Sequence, residues 1–454
     1  MILKLKQKVK PGSFLRHVLT VASGTAIAQV IAVLVSPIIT RMYTPEDMGV
    51  LASFTAIVAI LGVVAAGRYE LAIVLPKTDR ESNAVSFAGL IFALVFPFVI
   101  TMIVVLFNKP LVALLKLQGV AASWLYLLGL FVFLSGLELV LNRIAIRNRH
   151  FRVIASTQVT QQISNNGIKI GWGFFSPDSF ALFVSTLFST VSRVGRLGIG
   201  EFKYLFSKEN RPSKQEIKQA IIRYKYFPLI SSWSGLLNSA SVQLPVVLFT
   251  TLFSPAVAGF YSLSHRILSL PMSLIGKSVG DVFLERAAKA KDDDKELGRI
   301  TLAIFKKLLL IGSLILSFVT FYGDMLFPFL FGSQWLEAGK YAQWISIWIF
   351  FQLGISPLSQ IMIIFEKNKE HLFWNCLLLF SRIAFVPFVF LKNTLLIIAI
   401  YSILSSFFYL IYALRILKLC KIKTEKIVGI FSFFCFIYLI QFIFSLLLRK
   451  LIFR

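Results

Sequence analysis

The sequence predicts an all-α, polytopic membrane protein. It has two six-helix lobes, related as parallel repeats around a central cavity, with one extra C-terminal helix. Three observations carry this. Residues 18–39 and 84–108 contain no charged side chain. At a rise of about 1.5 Å per residue, each run can cross a hydrocarbon core of roughly 30 Å. The composition is 57% hydrophobic and 15% charged, against roughly 25% charged in a soluble domain. Much of the surface therefore faces something other than water. Finally, basic residues crowd into alternate connections between the apolar runs.

Taken in order, the expected spans lie near 16–40, 48–76, 82–107, 120–146, 151–174 and 178–199. A second set lies near 220–250, 256–285, 299–331, 339–365, 371–391 and 394–417, and a last apolar stretch covers 427–448. This divides the chain into an N-terminal lobe (1–200), a cytoplasmic linker (201–219), a C-terminal lobe (220–419) and an extra helix (420–454). The first apolar stretch is too long for the core of a cleaved signal peptide, so a retained helix is expected there.

The net charge is +26. Nucleic acid is a poor partner for it, because the cations sit between apolar spans and not on a soluble domain. They read as orientation signals. Lys4, Lys6, Lys8, Lys10 and Arg16 precede the first span. Arg147, Arg149 and Arg152 lie between the fourth and fifth. Lys203, Lys208, Arg211, Lys214 and Lys218 follow the sixth, and Arg286, Lys289, Lys291, Lys295 and Arg299 follow the eighth. Residues 175–177 and 253–255 carry none. The positive-inside rule then places the N-terminus and the basic loops in the cytoplasm. It also requires the weak, polar span at 178–199. The basic segment Lys418, Lys421, Lys423 and Lys426 should be cytoplasmic too, which makes 427–448 either a thirteenth span or an interfacial or re-entrant helix; a span is the expectation. Cys376, Cys420 and Cys435 form no CxxC pair and no metal spacing, so no disulfide, metal or cofactor is expected.

Two internal matches point to duplication. Thr44-Pro45-Glu46-Asp47-Met48-Gly49 aligns with Ser254-Pro255-Ala256-Val257-Ala258-Gly259, 210 residues later. In both, Thr or Ser can cap a helix whose first residue is Pro, where the missing N–H is harmless. Asn148-Arg149-His150 aligns with Asn368-Lys369-Glu370 in the turn after the fourth span of each half. An even number of spans per half makes the repeats parallel.

The segments 39–49 (ITRMYTPEDMG) and 67–76 (GRYELAIVLP) resemble the entrance motif and second-helix ending of the polysaccharide biosynthesis transporters. These are the O-antigen and capsule flippases of the multidrug/oligosaccharidyl-lipid/polysaccharide exporter superfamily. Residues 259–263 and 270–276 resemble that family's eighth helix, and the similarity covers most of 14–420. The resemblance implies two lobes of twelve or fourteen helices in all. It implies translocation of an undecaprenyl-pyrophosphate-linked glycan across the bacterial inner membrane, with membrane lipid and a glycan polymerase machinery as partners.

Charges inside the membrane cost roughly 2.5–3.5 kcal/mol on insertion scales and usually face a cavity or a partner. Arg68, Lys169, Arg266 and Arg382 are candidate cavity cations for an anionic headgroup. Arg68 and Glu70, at i and i+2 of an assumed helix, should point to different faces; snorkelling to the interface is the bland alternative. Lys277 and Asp281, at i and i+4, read first as an ion pair, and His265 as a packing residue. Glu138, Asn142 and Arg143 form a stripe on the fourth span. The fifth carries Gln158, Gln161, Gln162, Asn165, Asn166 and Lys169. Gln162 and Asn166 are candidate sugar contacts, with interhelical hydrogen bonding the equal alternative. Arg41 is a candidate gate beside Glu46 and Asp47, and a solvated loop charge is as good a reading. Glu70, Glu138 and Asp281 are candidate proton or ion coupling sites.

The leading expectation is a flippase for a lipid-linked oligosaccharide repeat unit, working by alternating access. A cation-coupled multidrug antiporter would favour a carboxylate-rich cavity. A membrane polymerase or ligase would place its chemistry in a large outer loop, whereas the outer connections are short and no H-E-x-x-H, G-x-S-x-G or P-loop pattern occurs. The expectation is therefore not an enzyme.

Overall fold

A computed structural model describes residues 14–116, 120–207 and 210–452, and among these every regular element is helical. We label the long helices α1 (Phe14–Met42), α2 (Pro45–Gly62), α3 (Asp79–Leu106), α4 (Leu128–Arg147), α5 (Phe151–Gly173) and α6 (Ser179–Leu205). They continue as α7 (Ser232–Leu252), α8 (Pro255–Leu268), α9 (Asp294–Phe331), α10 (Leu336–Ile355), α11 (Asn368–Ile383), α12 (Thr394–Leu419) and α13 (Thr424–Ile452). Among the described residues, 9 helices are long and apolar enough to cross a membrane. On α3, Leu94, Phe98, Met102 and Leu106 form an exposed stripe at four-residue spacing, an apolar face that suits lipid and not water. The chain is a multi-pass membrane protein.

It packs as two compact units, Met1–Ala258 and Gly259–Arg454. The division by packing falls later than the division by repeat, because α7 lies against α2 in the first unit. Ser53 of α2 meets Thr250 of α7 through their hydroxyls, and Ser239 Oγ donates to the Ala59 carbonyl at 2.8 Å. An amphipathic helix, Lys214–Arg223, begins in the linker, runs past its expected end at 219 and packs on α3. Its capping box joins Ser213 and Glu216, and Arg80 reaches Glu216 at 2.7 Å. The Ser213 backbone N–H and then its hydroxyl hold the Glu216 carboxyl below the usual range, with Arg80 adding to the effect.

Three internal pairings recur in the two halves. The neighbours α3–α4, α4–α6 and α5–α6 recur as α9–α10, α10–α12 and α11–α12. The caps recur as well. Asp47 N–H donates to the Thr44 hydroxyl at 3.2 Å, and Val257 N–H to the Ser254 hydroxyl at 3.4 Å. The turn after the fourth span also recurs, but in a shifted register. Arg149 and Glu366 both adopt left-handed backbone, with φ of 59° and 55°. The residue after each closes a bond five residues back: His150 to Ala145 O and Lys367 to Met362 O, both at 2.8 Å. That geometry ends a helix by satisfying its last carbonyls. The structural equivalence is therefore Arg149 with Glu366, and the Asn148/Asn368 match is offset from it by three residues.

Lipid tails are as apolar as leucine, so contact between such helices depends on close packing. Glycines provide it. A Cβ on Gly136 of α4 would lie 2.8 Å from Ala93 Cβ of α3. A Cβ on Gly323 of α9 would lie 2.7 Å from the Gly339 carbonyl oxygen of α10. At that second seam the two helices touch backbone to backbone.

Six of the expected spans are not continuous α-helices, and two of them show an evident cause. The span read as 48–76 stops at Gly62; the chain then turns, with Gly67 and Arg68 left-handed (φ 59° and 60°), into a short 3₁₀ turn at Tyr69–Leu71. Gly67 is the residue that takes such backbone without steric cost. The span read as 256–285 leaves α geometry before Pro271 and passes through a π-turn at Met272–Gly276. It resumes as Lys277–Lys289. Pro271 has no N–H for the helical ladder, and its ring crowds the carbonyl four residues back.

The last helix is long and apolar enough to cross a membrane. α13 has 29 residues, about 43 Å at helical rise. It runs parallel to α9, with ring centroids 6.1 Å apart at Phe305 and Phe431 and 6.0 Å apart at Phe321 and Phe442. A helix held along α9 at both levels does not lie flat at an interface.

Candidate functional site

In the first unit the left-handed turn at Arg68 brings together two charges that helical spacing would separate. Arg68 Nη1 lies 3.6 Å from Glu70 Oε1, and the Glu70 side chain is 1% exposed. The expectation of different faces fails because residues 63–71 are not α-helical. Arg143 of α4 acts on the same carboxylate. The Arg68 guanidinium lies over Gly235 of α7, where a Cβ would come 2.5 Å from Nη2. Glycine at 235 is thus what lets the head of Arg68 lie against that helix.

A second polar cluster joins α4, α5 and α6. Glu138 pairs with Arg193 Nη2 at 2.9 Å, and Arg193 Nη1 donates to Gln161 Oε1 at 2.8 Å. Arg196 donates to the Thr160 hydroxyl at 2.8 Å. Arg193 was missed from sequence. The signal was present, since a mid-span arginine in a helix required by charge alternation must find a partner.

α5 sits between α1 and α6, and its amides divide accordingly. Gln161 turns to α6, whereas Gln158 accepts from the Thr25 hydroxyl of α1 at 2.6 Å. Gln162, Asn166 and Lys169 continue the Gln158 stripe at helical spacing. Asn166 and Lys169 are buried and Gln162 is half-buried. The Lys169 carbonyl accepts from the Tyr43 hydroxyl at 2.7 Å. The Asn165 Oδ1 and Asn166 Nδ2 atoms are buried without a hydrogen bond within the described residues. Such groups are costly unless water or a ligand reaches them. Arg41 is exposed in the last turn of α1. The neighbouring Asp47 is committed to the cap of α2, accepting from Thr44 Oγ1 at 2.5 Å.

In the second unit Arg382 is 8% exposed and enclosed by rings. Its guanidinium carbon lies 5.9 Å from the Trp348 ring, and Nη2 donates to the Tyr409 hydroxyl at 3.3 Å. Trp348 stacks on Tyr409 at 6.0 Å and on His265 at 5.7 Å; His265 stacks in turn on Tyr261 at 5.7 Å. Tyr261 and Tyr401 share a hydrogen bond of 3.1 Å. A planar guanidinium suits such a cage through cation–π contact. His265 is a packing residue of the cage. Its neighbour Arg266 is exposed. The side chains of Asp281 and Lys277 lie outside the described part of the structure, as do residues 1–13.

The sequence-predicted residues therefore fall into separate groups: Arg68 with Glu70, the α5 stripe, Glu138 with Arg193, and Arg382 in its cage. Residues 38–340, about two thirds of the chain, match the family model described as polysaccharide biosynthesis protein. The chain belongs to the polysaccharide biosynthesis protein family. Solved structures share the fold of this family member across nearly its whole length. An inward-facing multidrug resistance MATE transporter of the MOP superfamily matches with a TM-score of 0.64 at 16% identity, covering 92% of this chain and 98% of that one. The lipid II flippase MurJ, in an inward closed conformation, matches with a TM-score of 0.61 at 11% identity, covering 94% and 99%. A MOP superfamily transporter from Pyrococcus furiosus, whose binding pocket is described as reversed in polarity, matches at 0.56 and 17% identity, covering 89% and 96%. No curated protein sequence matches the chain.

Proposed function

We propose that this protein is a transporter that flips a lipid-linked oligosaccharide repeat unit across the bacterial inner membrane, N-terminus in the cytoplasm, for O-antigen, capsule or exopolysaccharide assembly. The observation that carries the reading is membership of the polysaccharide biosynthesis family together with a fold shared with a lipid II flippase. The substrate would be an undecaprenyl-pyrophosphate-linked glycan, delivered onward to a glycan polymerase machinery.

Among the candidate cations, Arg266 is the one we assign to the pyrophosphate, because its side chain is exposed. A guanidinium binds phosphate oxygens in a bidentate fork. Gln162, Asn166 and Lys169 are assigned to the sugars, supported by the unsatisfied Asn165 and Asn166 amides. Arg68 and Arg382 serve indirectly. One is neutralised by Glu70 and the other is held by rings, so each shapes its unit and leaves phosphate contact to Arg266. Glu70, Glu138 and Asp281 are the carboxylates at which ion coupling would act, and Arg41 is the outer gate. The two lobes would alternate access between the membrane faces.

The test is complementation of a bacterium lacking its own flippase. Arg266→Ala, at normal protein level, should abolish surface glycan. Full export by that variant would sink the assignment. A second reading, cation-coupled drug export, is supported by the fold likeness to a multidrug transporter. Drug resistance conferred without glycan export would favour it.

A further inference from the structure

The parallel helices α9 and α13 leave a groove between them on the second unit. Along α9 it follows Leu302, Lys306 and Leu310, and along α13 it follows Lys426, Gly429 and Phe433; the cavity there measures about 710 Å³. That volume falls within the range of about 300–1,000 Å³ usual for small-ligand sites. Farther along the same two helices a second cavity of about 710 Å³ opens beside Leu314 and Phe318.

Charge and apolar surface are separated along this groove. Lys306 and Lys426 are exposed at one end. Lys421 takes Asp294 at 2.5 Å, the exposed Glu425 precedes Lys426 in sequence, and no ion pair to Lys306 or Lys426 occurs among the described residues. Beyond them the walls are aliphatic and aromatic. Gly429 keeps the floor open, since a Cβ there would meet nothing within 4 Å. The dimensions match one leaflet. α9 has 38 residues, about 57 Å, so its first turns extend past a core of roughly 30 Å. Lys306 and Lys307 immediately precede the apolar run that begins at Leu308, which puts Lys306 at the polar edge of the spanning segment. From Lys306 to Phe318 is about 18 Å at helical rise, slightly more than half that core.

We propose that the α9–α13 groove is a binding site for an anionic phospholipid of the cytoplasmic leaflet, its phosphate between Lys306 and Lys426 and its acyl chains running towards Phe318. A zwitterionic lipid would use the same walls but gain less from the lysines. Two surface lysines correspond to roughly a 30-fold preference for the anionic headgroup.

The site is independent of the substrate reading, and its test reads lipid retention, not transport. Full-length protein would be equilibrated with equal phosphatidylglycerol and phosphatidylcholine, and retained lipid counted by native mass spectrometry. Wild type should favour phosphatidylglycerol roughly 30-fold, and Lys306→Gln/Lys426→Gln should lose that preference. Gly429→Phe should lose both lipids with the lysines intact, and should decide the matter if the double variant does not fold. Lys109→Gln, in the other unit, should behave as wild type. Unchanged preference in the double variant, equal loss in Lys109→Gln, or displacement of phosphatidylglycerol by an equimolar polyprenyl phosphate would each overturn the proposal.

Discussion

Removing Arg68 should harm the protein chiefly through what it leaves behind. The Glu70 side chain is 1% exposed, that of Arg68 22%. Breaking a buried pair by deleting one partner costs about 3–5 kcal/mol, mostly because the other charge stays buried. Arg68 keeps some contact with solvent and Arg143 still acts on Glu70, so about 3 kcal/mol, the low end, applies to Arg68→Ala. At roughly 2 °C per kcal/mol for a chain of this size, the melting temperature should fall by about 6 °C. Glu70→Gln removes the stranded charge, so the Arg68→Ala/Glu70→Gln protein should regain most of that loss. Gly235→Ala supplies a gentler version. Its new Cβ would lie 2.5 Å from Arg68 Nη2, and the flexible guanidinium would move away without disturbing the helices. It should melt between wild type and Arg68→Ala. The assay is a thermal melt of detergent-purified protein followed by size-exclusion chromatography. A double variant as unstable as Arg68→Ala, or less stable, would show that the pair is not what holds the turn.

Three further outcomes are expected. Trp348→Ala should cost about 3–5 kcal/mol, because that ring stacks on His265 and Tyr409 and carries Arg382; a melt shift below about 3 °C would contradict the cage. Gly339→Leu should abolish a monodisperse chromatographic peak, since a side chain there enters the Gly323 backbone of α9; a normal peak would contradict the seam. The Glu216 carboxyl is lowered in the folded state. Its stabilisation of the Lys214–Arg223 helix is therefore present above its ordinary value of 4.5 and lost as pH falls through the lowered one. A spin label at Gln219 should become more mobile as pH falls below 4.5, and Ser213→Ala should blunt that response. An identical response in Ser213→Ala would refute the role of the cap.

Nine of the expected spans and the two Thr/Ser-Pro caps were legible because they are written locally. Thr44-Pro45 and Ser254-Pro255 announce their helices through residues three apart. The end of the second span was not legible, because hydropathy continues through residues 63–76 while the backbone does not. Gly67 there was the available hint. The partners of the intramembrane charges were hidden for a different reason. Glu138 meets Arg193 across 55 positions, and the cage of Arg382 draws on residues from Tyr261 to Tyr409. Such pairings depend on which helices are neighbours, and no periodicity encodes that. The repeat itself misled in detail. Two asparagines near a turn suggested a register that the left-handed residues Arg149 and Glu366 correct.

The backbone seam at Gly323 and Gly339 has a mechanical meaning. Helices that touch main chain to main chain have no side-chain cushion through which to slide, so α9 and α10 behave as one beam. α13 is fastened to that beam at two levels, by Phe431 and Phe442. Whatever stroke the second unit makes, these three members make it together. The groove between α9 and α13 should then keep a constant width through any such stroke, and anything seated in it would travel as a passenger.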